Sequence, residues 1–182
     1  MPIYQESGLQ ITLPDGESFR FQDCSGYKTL SGKNLSEMDF GWWNSTKNSL
    51  WLLDVKDYSH LPPTERLPDH LLDNLIKKAT DSLLILSAVW FGSVKGQEIC
   101  SELPLSCRTF PSKPKKLKIV FVLKITNSLL KAELSPLKTR LLARLRGRIA
   151  LFDINNVTLA DHETGIRMGL PIATLPSETN SV

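Results

Sequence analysis

Asp39, Asp54 and Lys56 stand in a stretch that reads SEMDFGWWNSTKNSLWLLDVKDY from Ser36 to Tyr58. Aromatic and aliphatic runs flank a polar segment, 44–48, so the stretch predicts a β-hairpin. A turn centred between Thr46 and Lys47 sets Asp39 opposite Asp54, Glu37 opposite Lys56, Gly41 opposite Leu52 and Trp43 opposite Leu50. Side chains alternate across a strand, so these eight share one face. Met38, Phe40, Trp42, Trp51, Leu53 and Val55 then form an apolar face suited to a core, an agreement that a one-residue slip would scramble.

Two carboxylates opposite each other repel, and both stay ionised only beside a neutralising partner. A hard divalent cation, Mg²⁺ or Mn²⁺, is the natural partner, because Mg²⁺ takes oxygen ligands and often uses only one or two protein carboxylates. Lys56 would then orient or help deprotonate an attacking water, or hold a phosphate as a point charge. The competing reading is a solvated sheet face on which Glu37 pairs with Lys56 and the aspartates point into water.

An Asp on one hairpin strand followed by D-x-K on the next, here Asp39 and then Asp54, Val55 and Lys56, resembles the signature of the PD-(D/E)xK nuclease superfamily. The resemblance covers mainly residues 37–57. It implies a restriction-endonuclease-like fold and Mg²⁺-dependent phosphodiester hydrolysis, with Asp39, Asp54 and the Val55 carbonyl as metal ligands and Lys56 positioning the water. It also implies a homodimer or a protein partner that supplies specificity. The extra upstream Glu common in that family has no match fixed by spacing. Glu37 is carried as an accessory candidate, and so is His60, which follows the D-x-K strand closely.

These residues need a sheet and its supporting layers. Leu9–Leu13 and Ser18–Asp23 suggest two strands around the turn Pro14–Gly16. The segment SHLPPTERLPDH contains three prolines and reads as a connector. Apolar residues from Leu71 to Leu86 recur at helical spacing, predicting a helix that starts at Leu67 or Asp69, runs to about Trp90 and ends before Gly92. Residues 92–116 read as loop, and Leu117–Ile125 as a buried strand. Pro136 predicts the first turn of a helix capped by Ser135, running to about Arg146 and stopping at Gly147. Ile149–Phe152 reads as a short strand, and the tail 171–182, rich in Ser, Thr and Pro, as frayed. The whole is one α/β domain over 1–170, with a mixed central β-sheet flanked by helices.

Charge is distributed unevenly. Residues 108–148 hold twelve Lys and Arg against one acid, Glu133, whereas the whole chain carries only +3. A basic block beside an acidic site suits a protein that grips a phosphate backbone. The candidates are Lys113, Lys115 and Lys116 from the loop, with Lys138, Arg140, Arg144, Arg146 and Arg148 from the helix. A solvated helix or an acidic protein partner is the alternative use of such a face. DNA is favoured over RNA as substrate.

Other chemistry finds little support. Cys24, Cys100 and Cys107 lack metal-ligand spacing and read as buried or incidental thiols in a reducing compartment. His60, His70 and His162 are scattered and read as surface or loop residues. No phosphate-binding glycine loop is present. The N-terminus lacks a signal pattern and no apolar run reaches membrane-spanning length, so the expectation is a cytoplasmic, untargeted protein without a membrane partner. Trp42 and Trp51 read as core residues, and Trp43, on the charged face, is the one tryptophan placed where it could contact substrate. The runner-up to the nuclease is a non-catalytic nucleic-acid- or protein-binding module with the same fold.

Overall fold

The computed structural model describes residues 1–30, 32–62, 64–112 and 116–175. In chain order the elements are Ile3–Glu6 (β1), Leu9–Thr12 (β2), Ser18–Phe19 (β3), Ser25–Lys28 (α1), Phe40–Asn44 (β4) and Ser49–Asp57 (β5). Leu71–Phe91 (α2), Val94–Glu102 (α3), Lys116–Lys124 (β6), Ser128–Ala150 (α4), Thr158–Asp161 (β7), His162–Arg167 (α5) and Ile172–Thr174 (β8) follow.

A five-stranded mixed sheet in the order β3-β4-β5-β6-β7 forms the centre. β4 and β5 are the predicted hairpin in the predicted register, with Gly41 opposite Leu52 and Trp43 opposite Leu50. β6 adds to β5 in parallel, Asp54 beside Phe121, and β7 adds in parallel to β6. Parallel neighbours need a crossover, and α2 with α3 supplies the first and α4 the second. A second sheet, β1-β2-β8, is antiparallel.

Both faces of the central sheet are buried, which differs from the expectation of one apolar and one charged face. Leu50, Leu52, Ile119, Phe121 and Leu123 pack under the helices with Leu75, Ala79, Leu86, Leu141 and Leu145. Phe40, Trp42, Leu53, Val55, Val120 and Val122 pack against Leu9, Ile11 and Ile172 of the small sheet. Strands covered on both faces are apolar on both sides, as parallel sheets require. Trp43 and Met38 belong to the helix side, so Trp43 is buried rather than facing a substrate, and Met38 leaves the predicted face because β4 begins only at Phe40.

α2 follows its apolar stripe and ends where Gly92 takes a left-handed conformation, φ 72°. The other departures have local causes. Leu9–Leu13 and Ser18–Asp23 do contain strands, but β2 finds β1 and β8 while β3 joins the other sheet. The predicted loop over 92–116 holds α3, whose Ser93 cap accepts from the Gly96 amide and whose only buried residues are Gly96 and Ile99. α4 starts eight residues before Pro136, capped by the Asn127 side chain, and Leu130, Leu134, Leu137, Leu141, Leu145 and Ile149 form one unbroken buried stripe. That stripe carries the helix past Gly147 and absorbs the strand expected at Ile149–Phe152. β7, α5 and β8 went unread, and β8 takes 172–174 out of the expected frayed tail. Among the described residues no single helix is long and apolar enough to cross a membrane; α2 and α3 pass such a test only as a pair bent by 96°.

Candidate functional site

Asp39 and Asp54 meet, as the hairpin register requires. Asp39 immediately precedes β4, and its Oδ2 accepts from the Val55 amide at 2.8 Å, so a carboxylate takes the place of a ladder carbonyl at the strand's start. Asp54 lies on the helix-side face of β5 and is completely buried. Its Oδ1 accepts from Lys56 Nζ at 2.9 Å, and Lys56 Nζ also reaches the Val55 carbonyl at 3.3 Å and lies 4.0 Å from Asp39 Oδ2.

The partner that the sequence reading missed is Lys78. Its ammonium donates to Asp39 Oδ1 at 2.7 Å and also to Asp54 Oδ1, so a single cation bridges the two aspartates. Lys78 stands in the row Leu71, Leu75, Lys78, Ser82 and Leu86, the side of α2 turned to the sheet. A lysine at an apolar position of a core helix is expensive unless it is paired, and that was the available signal. Ser82, in the same row and fully buried, accepts from the Met38 amide at 2.7 Å. Asp81 accepts from the Ser36 amide at 2.8 Å and from Lys77 at 2.6 Å, and Lys77 also donates to the Asn34 carbonyl. Consecutive residues of α2 thus hold the segment that delivers Asp39.

The two carboxyls have opposite environments. Burial works against the Asp39 carboxylate, but Lys56, Lys78 and the Val55 amide outweigh it and hold its pKa below the ordinary value. Burial and then the Asp39 charge push Asp54 up to about 6, against the pull of the same two lysines. Both carboxylates in turn raise the Lys78 pKa despite its burial. Asp54 Oδ2 is buried and has no hydrogen-bond partner among the described residues. A pair of carboxyls pushed apart in this way is a recurrent feature of acid–base sites.

The remaining candidates separate. Glu37 does not pair with Lys56; its carboxylate accepts from the Tyr27 hydroxyl. His60 is exposed, its ring 6.5 Å from that of Tyr58. Val55 offers its carbonyl near the aspartates, where it accepts from Ser7 Oγ at 3.0 Å as well as from Lys56. Lys116 pairs with Ser49, five residues from Asp54, or roughly 17 Å along the strand. Lys113 and Lys115 lie outside the described residues. On α4, Lys138 is half-buried and Arg140, Arg144, Arg146 and Arg148 are exposed. Arg144 pairs with Asp73 in the first turn of α2, and Arg148 donates to the Arg144 carbonyl at 2.8 Å. None of these α4 residues bonds to the aspartate pair among the described residues. His162, expected on the surface or in a loop, is instead buried at the start of α5. Cys24 and Cys107 are buried, and burial pushes their thiols up to about 11 and about 12.

The donor set at the pair suits a hard cation: the two Oδ1 atoms already share an ammonium, a backbone carbonyl is adjacent, and one carboxylate oxygen is unclaimed. No cluster of three or more His, Cys, Asp and Glu side chains able to hold a metal occurs among the described residues. No family model, curated protein or solved structure matches this chain.

Proposed function

We propose that the chain is a Mg²⁺-dependent nuclease on a restriction-endonuclease-like fold, hydrolysing phosphodiester bonds on its own or as the nuclease subunit of a larger assembly. The carrying observation is the convergence of Asp39, Asp54 and Lys56, with Lys56 Nζ 2.9 Å from Asp54 Oδ1 and 4.0 Å from Asp39 Oδ2, beside a buried Asp54 Oδ2 that has no hydrogen-bond partner among the described residues. The element order supports the fold reading, since a hairpin is followed by a helix and then by a strand parallel to the hairpin's second strand.

Asp39 and Asp54 would hold Mg²⁺ or Mn²⁺, with the Val55 carbonyl as an additional donor. Bound there, the cation supplies Lewis acidity toward the phosphate and lowers the pKa of a water. Lys56, whose side chain is 28% exposed against 18% for Lys78, is the more accessible of the two lysines; it would orient the attacking water or hold a phosphate oxygen as a point charge. Lys78 neutralises the carboxylates and fixes their spacing. The basic residues of α4 would add phosphate contacts that carry no base specificity, with DNA favoured over RNA.

A second reading, a non-catalytic binding module, is favoured by one observation. Lys56 and Lys78 already balance the two carboxylates, so the pair is neutral as it stands. The discriminating experiment incubates single- and double-stranded DNA and RNA with Mg²⁺ or Mn²⁺ and the intact chain, Asp54→Ala or Lys56→Ala. The nuclease reading expects metal-dependent cutting that both variants lose. Salt-sensitive binding in all three proteins with no cutting would replace it with the binding module.

A further inference from the structure

The four carboxylate oxygens at the aspartate pair are unequally claimed. Asp39 Oδ2 accepts from the Val55 amide at 2.8 Å and lies 4.0 Å from Lys56 Nζ. Asp39 Oδ1 accepts from Lys78 Nζ at 2.7 Å. Asp54 Oδ1 accepts from Lys56 Nζ at 2.9 Å and also from Lys78 Nζ, whereas Asp54 Oδ2 has no hydrogen-bond partner among the described residues. A ligand that takes one oxygen from each carboxylate therefore has an open choice only at Asp54. At Asp39, Oδ2 is committed to a backbone amide that it closes off from water, and Oδ1 is held by the Lys78 ammonium.

Charge leads to the same residue. Two carboxylates and the ammoniums of Lys56 and Lys78 already balance. A divalent cation added to all four would leave its own charge uncompensated against Asp54, which is completely buried, and an uncompensated buried charge is strongly destabilising. An ammonium has to give way. Lys56 holds a single aspartate closely, but Lys78 holds the Oδ1 atoms of both. Its ammonium stands on a flexible four-carbon stem and its side chain is 18% exposed, so release toward solvent needs no movement of α2.

We propose, resting on the hydrolytic reading of the pair, that Lys78 is the resident counter-ion of the site: a positioning residue whose ammonium holds the two carboxylates together until a divalent cation takes its place, and which thereby sets the cation affinity. Electron paramagnetic resonance of Mn²⁺ titrated into the intact chain, Lys78→Gln and Lys78→Arg tests it, with circular dichroism to check folding. Gln keeps hydrogen-bond donors for the carboxylates without the charge, and Arg keeps the charge. Lys78→Gln should bind Mn²⁺ at least ~10-fold more tightly than the intact chain, a unit charge at contact distance near a protein surface being worth more than that. Lys78→Arg should bind no more tightly than the intact chain. A purely structural lysine would give the reverse, weaker binding in Lys78→Gln. Affinity unchanged or lowered in Lys78→Gln, with the intact chain binding, overturns the inference and leaves the hydrolytic reading standing. Mn²⁺ left free by the intact chain and by both variants removes the two together. A further measurement needs no neutral variant. Lysine-selective proton–nitrogen NMR of the intact chain should show a slowly exchanging Lys78 ammonium, assigned by its absence in Lys78→Arg, that is lost on saturation with Mg²⁺. A resonance that persists unchanged at saturation overturns the proposal even where Lys78→Gln fails to fold.

Discussion

The aspartate pair and the outer face of α4 contain the same kinds of charge in opposite surroundings. At the pair, two carboxylates and two ammoniums sit at the sheet–helix interface, one carboxylate fully buried. On α4, arginines stand in solvent, and Arg144 pairs with an equally exposed Asp73. Burial separates the two cases. Desolvating an ion is costly, so a buried charge must be matched closely and its loss is felt, whereas an exposed pair is screened and worth little. The pair is thus the place where removing a charge should be felt in the fold, and α4 the place where it should not.

The sharpest way to break the contrast is Lys78→Met. It leaves two carboxylates sharing only Lys56, and about 3–5 kcal/mol of stability should be lost at neutral pH, as when one member of a buried pair is removed. Urea unfolding measures this, and the loss should shrink at pH 5, where Asp54 takes up a proton.

Asp54→Asn acts on the pH dependence. Because the folded-state pKa of Asp54 is raised from 3.8 to about 6, its protonated form favours the fold, and that contribution is lost as pH rises through this window. The intact chain should therefore lose up to roughly 3 kcal/mol between pH 4 and pH 7 relative to Asp54→Asn, read from unfolding midpoints. Asp39 has the opposite sign: its lowered pKa contributes stability above the ordinary carboxylate value, which is lost as pH falls through its folded value. Ser82→Ala orphans the Met38 amide and should cost about 1–3 kcal/mol by the same measurement. Arg144→Ala should change stability by less than about 1 kcal/mol. Combined with Arg140→Ala, Arg146→Ala and Arg148→Ala it should instead lower the salt dependence of nucleic-acid binding, by a slope of at most about one per contact removed.

The hairpin was legible because each of its residues constrains its neighbours. Shifting the register by one would set Asp54 opposite Phe40 and Asp39 opposite Val55, mixing the two faces, so the pairing of Asp39 with Asp54 followed from the turn centre and alternation together. α2 and β6 were legible for a similar reason, a periodic stripe closed by Gly92 and a continuous apolar run. What alternation could not tell is what lies above a face. Trp43, Leu50 and Leu52 share the side of Asp54, and only α2 and α4 packing on it makes that side a core. Lys78 went unread for the same reason, because its partners are 24 and 39 residues away in sequence. α3 and β7 are short and contribute few buried residues, so local pattern is faint there, and tertiary contacts decide. In α4, Pro136 reads as a helix start by its chemistry, yet the buried leucines on both sides carry the helix through it.

The central claim is that Asp39 and Asp54 form a cation-binding hydrolytic centre rather than a self-neutralised structural pair. The most direct test is electron paramagnetic resonance of Mn²⁺ titrated into the intact chain, Asp39→Asn and Asp54→Asn, each verified as folded. One protein-bound Mn²⁺ is expected in the intact chain, lost in both variants and competed by Mg²⁺. Mn²⁺ that stays free in the presence of the intact chain, or binding that survives in both variants, would contradict it.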